Sequence, residues 1–371
     1  MKLICDGLDL SDAVLKVSKA LSVRSTNPVL EGIKITAVGD TLTLLATDME
    51  LTIEKKIKAD ILMEGETVVV GKYFVEFAKK LEKEQVELCK IEGGQLQIKY
   101  SDSQSELQVF AIDTYPKIEK NFDGNYFELT QKDLKNIIER TVFACSTDEG
   151  RPILKGCLFE IEEGVLTAVA LDGFRMAVVK KDISCDKNFK AVIPARTLLE
   201  ITRLLDKDEN TVKVIFQKNA LFIEIGNTTL ISRLIEGEFV KYNHILPSNF
   251  ENVVTVNKQA LLQSIERASI VARNDNTIVG RHNIIKFDVK ENMMTVSAKS
   301  EIGTVNENVN INLVGKDILI AFNGRYLTEF LKIIDEDFIN INLNSPIDPC
   351  IIKPVGDNGI MYLVLPVRIN A

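Results

Sequence analysis

The stretch Leu129-Thr-Gln-Lys-Asp-Leu-Lys-Asn-Ile-Ile-Glu-Arg140 decides the fold, because its pattern occurs three times along the chain. Within it Leu134, Ile137 and Ile138 share one face of a helix, with charged residues opposite. Shifting the chain by 124 residues lays Leu10 on Leu134 and Val14 on Ile138. The same shift lays Pro28 on Pro152, Leu30 on Leu154, Gly32 on Gly156, Asp48 on Asp172, Phe74 on Leu198, Phe77 on Ile201 and Leu81 on Leu205. A further 127 to 129 residues on, Leu134 meets Leu261, Ile138 meets Ile265, Arg140 meets Arg267, Leu198 meets Leu327 and Leu205 meets Ile334. A solenoid unit spans only about 20 to 50 residues, so this longer period is a whole domain. Three tandem domains are expected, over 1–124, 125–249 and 250–371.

Each copy reads as a short strand, an amphipathic helix, several strands, a second helix and further strands. In the middle copy the strands are Cys157–Ile161 and Val165–Ala170, turned at Glu163-Gly164 and Asp172-Gly173. The second helix starts at Ala195 and is followed by alternating strands over Val212–Phe216, Leu221–Ile225 and Thr229–Arg233. Two helices and many antiparallel strands per copy place the chain in the α+β class.

The 371 residues suit two or three cores, and 46% apolar content with 26% charge is that of a globular protein. No apolar run reaches the roughly 20 residues that span a membrane. The opening Met-Lys-Leu-Ile-Cys-Asp meets a charge too early for a signal-peptide core. The six cysteines, Cys5, Cys89, Cys145, Cys157, Cys185 and Cys350, form no CxxC pair, which fits a reduced, cytoplasmic protein without a disulfide framework or zinc site.

A net charge of −8 argues against nucleic acid unless the basic residues are gathered in one place. The expected helices are 9–20, 72–83, 131–140, 194–207, 258–273 and 324–335. Together they hold 17 Lys and Arg against 11 Asp and Glu, a net +6, which leaves −14 for the remainder. Helices set side by side would present a weakly basic wall on an acidic body. Scattered lysines on ordinary solvated helix faces explain the same count. The chain has no Trp and no dense arginine run, so readout of base sequence is not indicated.

Three segments give the triplication a family. They are Arg24-Ser-Thr-Asn-Pro-Val-Leu-Glu-Gly-Ile33, Gly150-Arg-Pro-Ile-Leu-Lys-Gly156 with Ala170-Leu-Asp-Gly-Phe-Arg-Met-Ala177, and Tyr362-Leu-Val-Leu-Pro-Val-Arg-Ile369. In this order and over this length the chain resembles the bacterial DNA sliding clamps, the processivity (beta) subunits of replicative DNA polymerases. The resemblance implies a head-to-tail homodimeric ring of six similar domains, with helices lining the hole and sheets on the rim. It implies sequence-independent, topological binding of double-stranded DNA. The implied protein partners are a replicative polymerase subunit, a clamp-loader ATPase and other proteins bearing short clamp-binding peptides.

The resemblance also implies a peptide pocket between the middle and last domains. Position by position it carries over to Leu154, Leu171, Gly173, Phe174, Arg175 and Met176, then to Val240, His244 and Ile245 in the linker. The last domain supplies Ile347, Pro349, Leu363, Val364, Leu365, Pro366, Val367 and Arg368. Read alone, these residues are core strands and a hairpin turn. Three depart from the family pattern: Phe174 stands where His is frequent, Val240 where Pro is usual and His244 where Arg occurs. The last copy has Lys299-Ser300 in place of the repeated Asp, so no equivalent pocket is expected there. For DNA the matching positions are Arg24 and Arg151, while Lys79, Arg196 and Arg203 are added on charge alone. For the dimer seam the resemblance sets Ile270 and Val271 against Lys72, Phe74 and Leu107.

No catalytic constellation accompanies these features. A GxxxxGK[ST] loop is missing, and His244 and His282 are the only histidines. Neither a cofactor nor a metal is expected, nor enzymatic activity. Two rival readings remain open: a triplicated interaction scaffold that never meets DNA, and a nuclease built on Asp48 or Asp172. Hairpin turns account for both aspartates without chemistry.

Overall fold

Asp6 ends the first strand and begins the first helix. Its Oδ1 accepts hydrogen bonds from Leu8 N at 2.9 Å and Asp9 N at 3.1 Å, satisfying amides that a helix start leaves unpaired. Asn257 and Asn323 cap later helices in the same way, through Ala260 N at 2.9 Å and Arg325 N at 3.0 Å. The computed structural model describes residues 1–22, 25–120, 122–206, 208–247, 249–272, 283–357 and 359–368.

The first copy runs β1 (Lys2–Asp6), α1 (Gly7–Val17), β2 (Gly32–Val38), β3 (Thr41–Thr47), β4 (Leu51–Lys58), β5 (Asp60–Met63), β6 (Gly65–Val70), α2 (Gly71–Ala78), β7 (Gln85–Ile91), β8 (Gln95–Tyr100) and β9 (Ser103–Phe110). The middle copy runs β10 (Asn125–Thr130), α3 (Gln131–Glu139), β11 (Gly156–Glu162), β12 (Val165–Leu171), β13 (Arg175–Asp182), β14 (Phe189–Pro194), α4 (Ala195–Leu204), β15 (Thr211–Phe216), β16 (Ala220–Ile225) and β17 (Thr228–Arg233). The last copy runs β18 (Asn252–Asn257), α5 (Lys258–Ala272), β19 (Ile284–Lys290), β20 (Met293–Ser300), β21 (Gly303–Val314), β22 (Ile318–Asn323), α6 (Gly324–Leu331), β23 (Phe338–Leu343), β24 (Cys350–Pro354) and β25 (Ile360–Val364). Apart from the short β5, the three orders are identical. This is the expected triplicated α+β fold.

Two compact units form, Met1–Lys132 with Arg196–Leu234, and Asp133–Ala195 with Ile235–Ala371. The first holds a sheet ordered β10-β15-β16-β17-β4-β3-β2-β6-β9-β8-β7-β1-β5. The second holds β14-β11-β12-β13-β25-β24-β23-β18-β21-β20-β19-β22. The middle copy gives strands to both, so each sheet crosses a copy boundary at a seam. At the first seam β17 pairs antiparallel with β4, and at the second β25 pairs with β13.

The repeated apolar positions are core. Leu10, Val14, Ile138, Ile265 and Phe74 have no exposed surface, and Leu134, Leu261 and Leu198 are nearly as enclosed. Each such side chain contributes about 2 kcal/mol relative to leaving it in water.

The helices stop earlier than their apolar periodicity predicts. After Ala78 the chain tightens, with Lys80 N bonding Phe77 O at 2.9 Å and Leu81 N bonding Ala78 O at 3.2 Å. This tucks Leu81 into the core without extending α2. Ile334 does the same after α6, following the bond from Ile333 N to Phe330 O. The charge reading changes accordingly. The six observed helices hold nine Lys and Arg against eight Asp and Glu, a net +1, because residues such as Lys79, Lys80, Lys83 and Lys332 fall beyond their ends. Among the described residues no helix is long and apolar enough to cross a membrane.

Candidate functional site

The second seam is organised by the hairpin between β12 and β13. Asp172 Oδ1 accepts from Phe174 N at 2.8 Å and Arg175 N at 3.0 Å, a turn closed by the side chain. Gly173 occupies φ +94°, a region that a Cβ disfavours. The turn sends Phe174 outward, 59% exposed, and Arg175 inward, 6% exposed.

Arg175 is held on every side. Its Nε bonds Asp172 Oδ2 at 3.0 Å, Nη2 donates to Phe143 O at 2.8 Å, and Nη1 pairs with Glu329 of α6. The guanidinium lies 4.5 Å from the Tyr326 ring centre and 5.3 Å from that of Phe143. Burial alone raises the Glu329 pKa, but bonds from Arg325 and Arg175 outweigh it and hold the carboxyl below its usual range. Arg175 therefore braces the seam from within, whereas the resemblance set it on the pocket wall. Arg140 adds a second tie, its Nη2 reaching Asp335 at 3.0 Å.

An aliphatic floor lies beside this brace. Leu154, Leu171, Met176 and Leu363 join one cluster with Leu158, Val169, Val178, Val192, Tyr242 and Ile351, and Leu365 packs against it half-buried. Register explains the meeting: Met176 pairs with Leu363 across β13 and β25, and Leu365 N bonds Phe174 O at 2.9 Å. A strap over 235–247 crosses the cluster, pinned where Tyr242 OH donates to Glu160 Oε2 at 2.9 Å. Burial and this bond push the Tyr242 pKa up. Around the floor stand exposed residues: Phe174, Val240 at 39%, Ile245 at 41% and Ile347 at 62%, with Gly173 and His244. Pro349, Pro366 and Val367 are half-buried, Arg368 is exposed, and Val364 is fully enclosed and so contributes only backbone. The arrangement is a buried aliphatic cluster with exposed apolar side chains around it, the chemistry that an extended peptide with aliphatic or aromatic anchors would require.

The basic residues are less free than their charge implies. Lys79 Nζ pairs with Glu76 at 2.6 Å, Arg203 pairs with Glu200, and Arg196 pairs with Asp48 while donating to Lys19 O at 3.1 Å. Arg151 is exposed beside the Gly173 turn. Arg24 and His282 lie outside the described residues. Of the seam residues, Phe74 has no exposed surface and Val271 only 9%, so both face their own cores. Lys72, Ile270 and Leu107 reach the surface, and Tyr73 is exposed at 59% where Phe74 was expected.

Asp48 is spent as Asp172 is, its Oδ1 accepting from Glu50 N at 3.0 Å and Leu51 N at 2.8 Å. Burial raises the Cys5 and Cys157 thiols to about 12, far from the reactive range. Among the described residues no group of His, Cys, Asp and Glu is arranged to hold a metal ion.

Models of the DNA polymerase III beta subunit match almost the whole chain: the N-terminal domain over residues 1–119, the central domain over 128–241 and the C-terminal domain over 243–368. The chain belongs to this family. The beta sliding clamp of Staphylococcus aureus is 34% identical over 363 residues, covering 94% of each chain. The sliding clamp of Bacillus subtilis has a crystal structure that superposes with a TM-score of 0.95 at 30% identity, covering 100% of both chains. A putative beta subunit from Eubacterium rectale gives 0.93 at 32% identity, again over 100% of both.

Within this beta-subunit frame, sequence reasoning missed Tyr326 and Phe143. Both sandwich Arg175, and Tyr326 also stacks on Phe174 with ring centres 6.4 Å apart. Tyr326 offers one signal, an aromatic next to the core Leu327 and therefore at the edge of the apolar face of α6. Phe239, Phe250, Ile153 and Ile235, which pack on the floor, were also missed.

Proposed function

We propose that two copies of this chain join head to tail into a closed ring that encircles duplex DNA and tethers a replicative polymerase to it. Recurrence of one seam carries the reading. Inside the chain Leu230 pairs with Ile53 and Tyr362 with Ala177, and Ile53 and Ala177 are equivalent positions of successive copies. Hairpin register extends the equivalence. Thr47 opposite Thr52 matches Lys299 opposite Thr304, which sets Val305 at the place of Ile53. Tyr100 opposite Ser103 matches Ile225 opposite Thr228, which sets Ser105 at the place of Leu230.

Among the described residues, Ser105 and Val305 lie on matching free edges. β9 meets β6 only at Val109 and Phe110, and β21 meets β18 only from Ile311 to Val314. A third seam between chains then puts Ser105 opposite Val305, Gln104 opposite Asn306 and Leu107 opposite Gly303. Such contacts are heterologous and close only if the rotation per copy allows it. The half-buried Leu107 belongs to this seam, with Lys72 and Ile270 flanking it. Domain boundaries near 124 and 249 fit the repeat.

Retention on DNA in this reading is topological. Helices that are nearly neutral, with basic side chains already paired, permit sliding because they do not grip phosphates. Arg24, Arg151, Lys79, Arg196 and Arg203 make passing, sequence-blind contacts. An aliphatic trough at the second seam takes the short peptides of the polymerase, of a clamp-loading ATPase and of other DNA-processing proteins. The protein performs no chemistry itself, needs no cofactor and works in the cytoplasm.

The test is closure. The mass in solution should be about twice 41.5 kDa. Oppositely placed strand residues lie about 4.5–5.5 Å apart, within disulfide reach, so Ser105→Cys with Val305→Cys should oxidise to a covalent two-chain ring. Loaded on closed circular DNA, that ring should remain until the circle is cut. A monomer that never cross-links, or equal retention on linear and circular DNA, overturns the proposal and favours the scaffold reading.

A further inference from the structure

The first copy has its own strap, residues 111–120, over the same face of its sheet. Strand register lays Lys34, Leu45 and Glu54 in one row across β2, β3 and β4, and Thr36, Thr43 and Lys56 in the next. The strap is fastened where Tyr115 OH donates to Leu45 O at 3.3 Å and where Lys120 pairs with Glu54. Between strap and sheet remains a cleft of about 810 Å³. Its position in the repeat is that of the aliphatic trough, but its chemistry is inverted. Of its lining residues, Lys34 and Glu54 stand where the middle copy has Leu158 and Val178, while Leu45 stands for Val169.

The charges are arranged in layers. Glu54, its side chain only 5% exposed, is the floor, neutralised by Lys120. Lys34 is occupied by Glu66 at 2.8 Å. Two cations remain toward the opening, against one further lining carboxylate, that of Asp113 in the strap. Lys56 is 57% exposed, with its nearest carboxylate, that of Glu54, at 3.9 Å. Lys117 is exposed and has no carboxylate partner among the described residues. Ile112 and Ile118 of the strap supply an apolar wall beside them.

We infer that this cleft is a second peptide site, taking an extended acidic segment whose carboxylates sit between Lys56 and Lys117 while alternate aliphatic side chains lie on Ile112 and Ile118. An extended strand puts successive side chains on opposite faces, so one peptide satisfies both walls. Glu54 at the floor excludes the aliphatic anchors that the trough accepts, since burying them would strip water from a carboxylate. The two sites thus sort partners by charge. The inference rests on the proposed reading of the trough as a peptide site.

The probe is a short fluorescein-labelled peptide alternating Asp with Leu, titrated with the full chain and followed by anisotropy. A control peptide has Asn for each Asp, and a second control is a Leu- and Phe-bearing aliphatic peptide. The Asp-Leu peptide should bind about tenfold more tightly than its Asn-Leu control, and lose about tenfold on Lys56→Glu with Lys117→Glu. The same double variant should keep its mass and its affinity for the aliphatic peptide. Met176→Ala with Leu365→Ala should do the reverse, weakening the aliphatic peptide alone. Equal affinity for Asp-Leu and Asn-Leu peptides, or indifference to the lysine changes, overturns the inference. So does loss of Asp-Leu binding in the Met176 and Leu365 variant. Should the aliphatic peptide fail to bind the unmodified chain, the trough reading falls, while the Asp-Leu titration still decides the cleft.

Discussion

At the first seam β17 lies on β4 and the adjoining hairpin holds Asp48; at the second β25 lies on β13 and the matching hairpin holds Asp172. Both aspartates close their turns with the same pair of amide bonds. Their second oxygens then diverge. Asp48 meets Arg196, whose side chain is 52% exposed, whereas Asp172 meets Arg175, which is 6% exposed and enclosed by two aromatic rings. The first copy carries a cleft lined by lysines and carboxylates, and the second seam an aliphatic cluster. One backbone plan thus supports two chemistries. A handful of side chains facing the strap decides which appears.

Making the second seam resemble the first should cost most. Val178→Glu puts the equivalent of Glu54 under a strap that lacks the equivalent of Lys120, burying an uncompensated carboxylate. Stability should fall by more than about 3 kcal/mol in urea titrations, with aliphatic-peptide binding abolished. Nearly as costly is Arg175→Ala, which leaves Glu329 and Asp172 without their shared partner. We expect a loss of about 3 kcal/mol, against less than about 1 kcal/mol for Arg196→Ala at the exposed counterpart. Equal losses at the two arginines would erase the distinction between the seams.

The turns themselves provide a finer measure. Met49 stands at φ +74° where the other hairpin has Gly173. Met49→Gly should therefore gain, and Gly173→Ala lose, about 1 kcal/mol, seen as opposite shifts of the thermal midpoint. The smallest effect is that of acid. The depressed pKa of Glu329 contributes stability that is present above the unfolded value and is lost as pH falls through the folded one. Denaturation midpoints should decline below about pH 4, and Glu329→Gln should flatten that decline.

The architecture was readable because Leu10, Leu134 and Leu261 are the same core position three times, and burial constrains such positions most. The aliphatic cluster follows the same logic: Leu171, Met176 and Leu363 belong to strands whose register follows from the repeat. The Arg175 brace was not. Phe143 and Glu329 lie far from it along the chain, and only folding brings them together. Helix ends were misjudged at Leu81 and Ile334, where apolar periodicity continues after the backbone has tightened. The net charge within the helices fell with them, since Lys79, Lys80, Lys83 and Lys332 lie past those ends. The charge contrast between the two straps was present in Glu54 and Val178, but only the strap positions give it meaning.

The free edges of β9 and β21 have a further consequence. An object with a plug at one end and a matching socket at the other grows indefinitely unless its curvature brings the final socket back to the first plug. A small change in the bend between successive copies would therefore yield fibres of unlimited length, although every individual joint was sound. In the proposed assembly, the angle at the two internal seams is what stops growth at two chains.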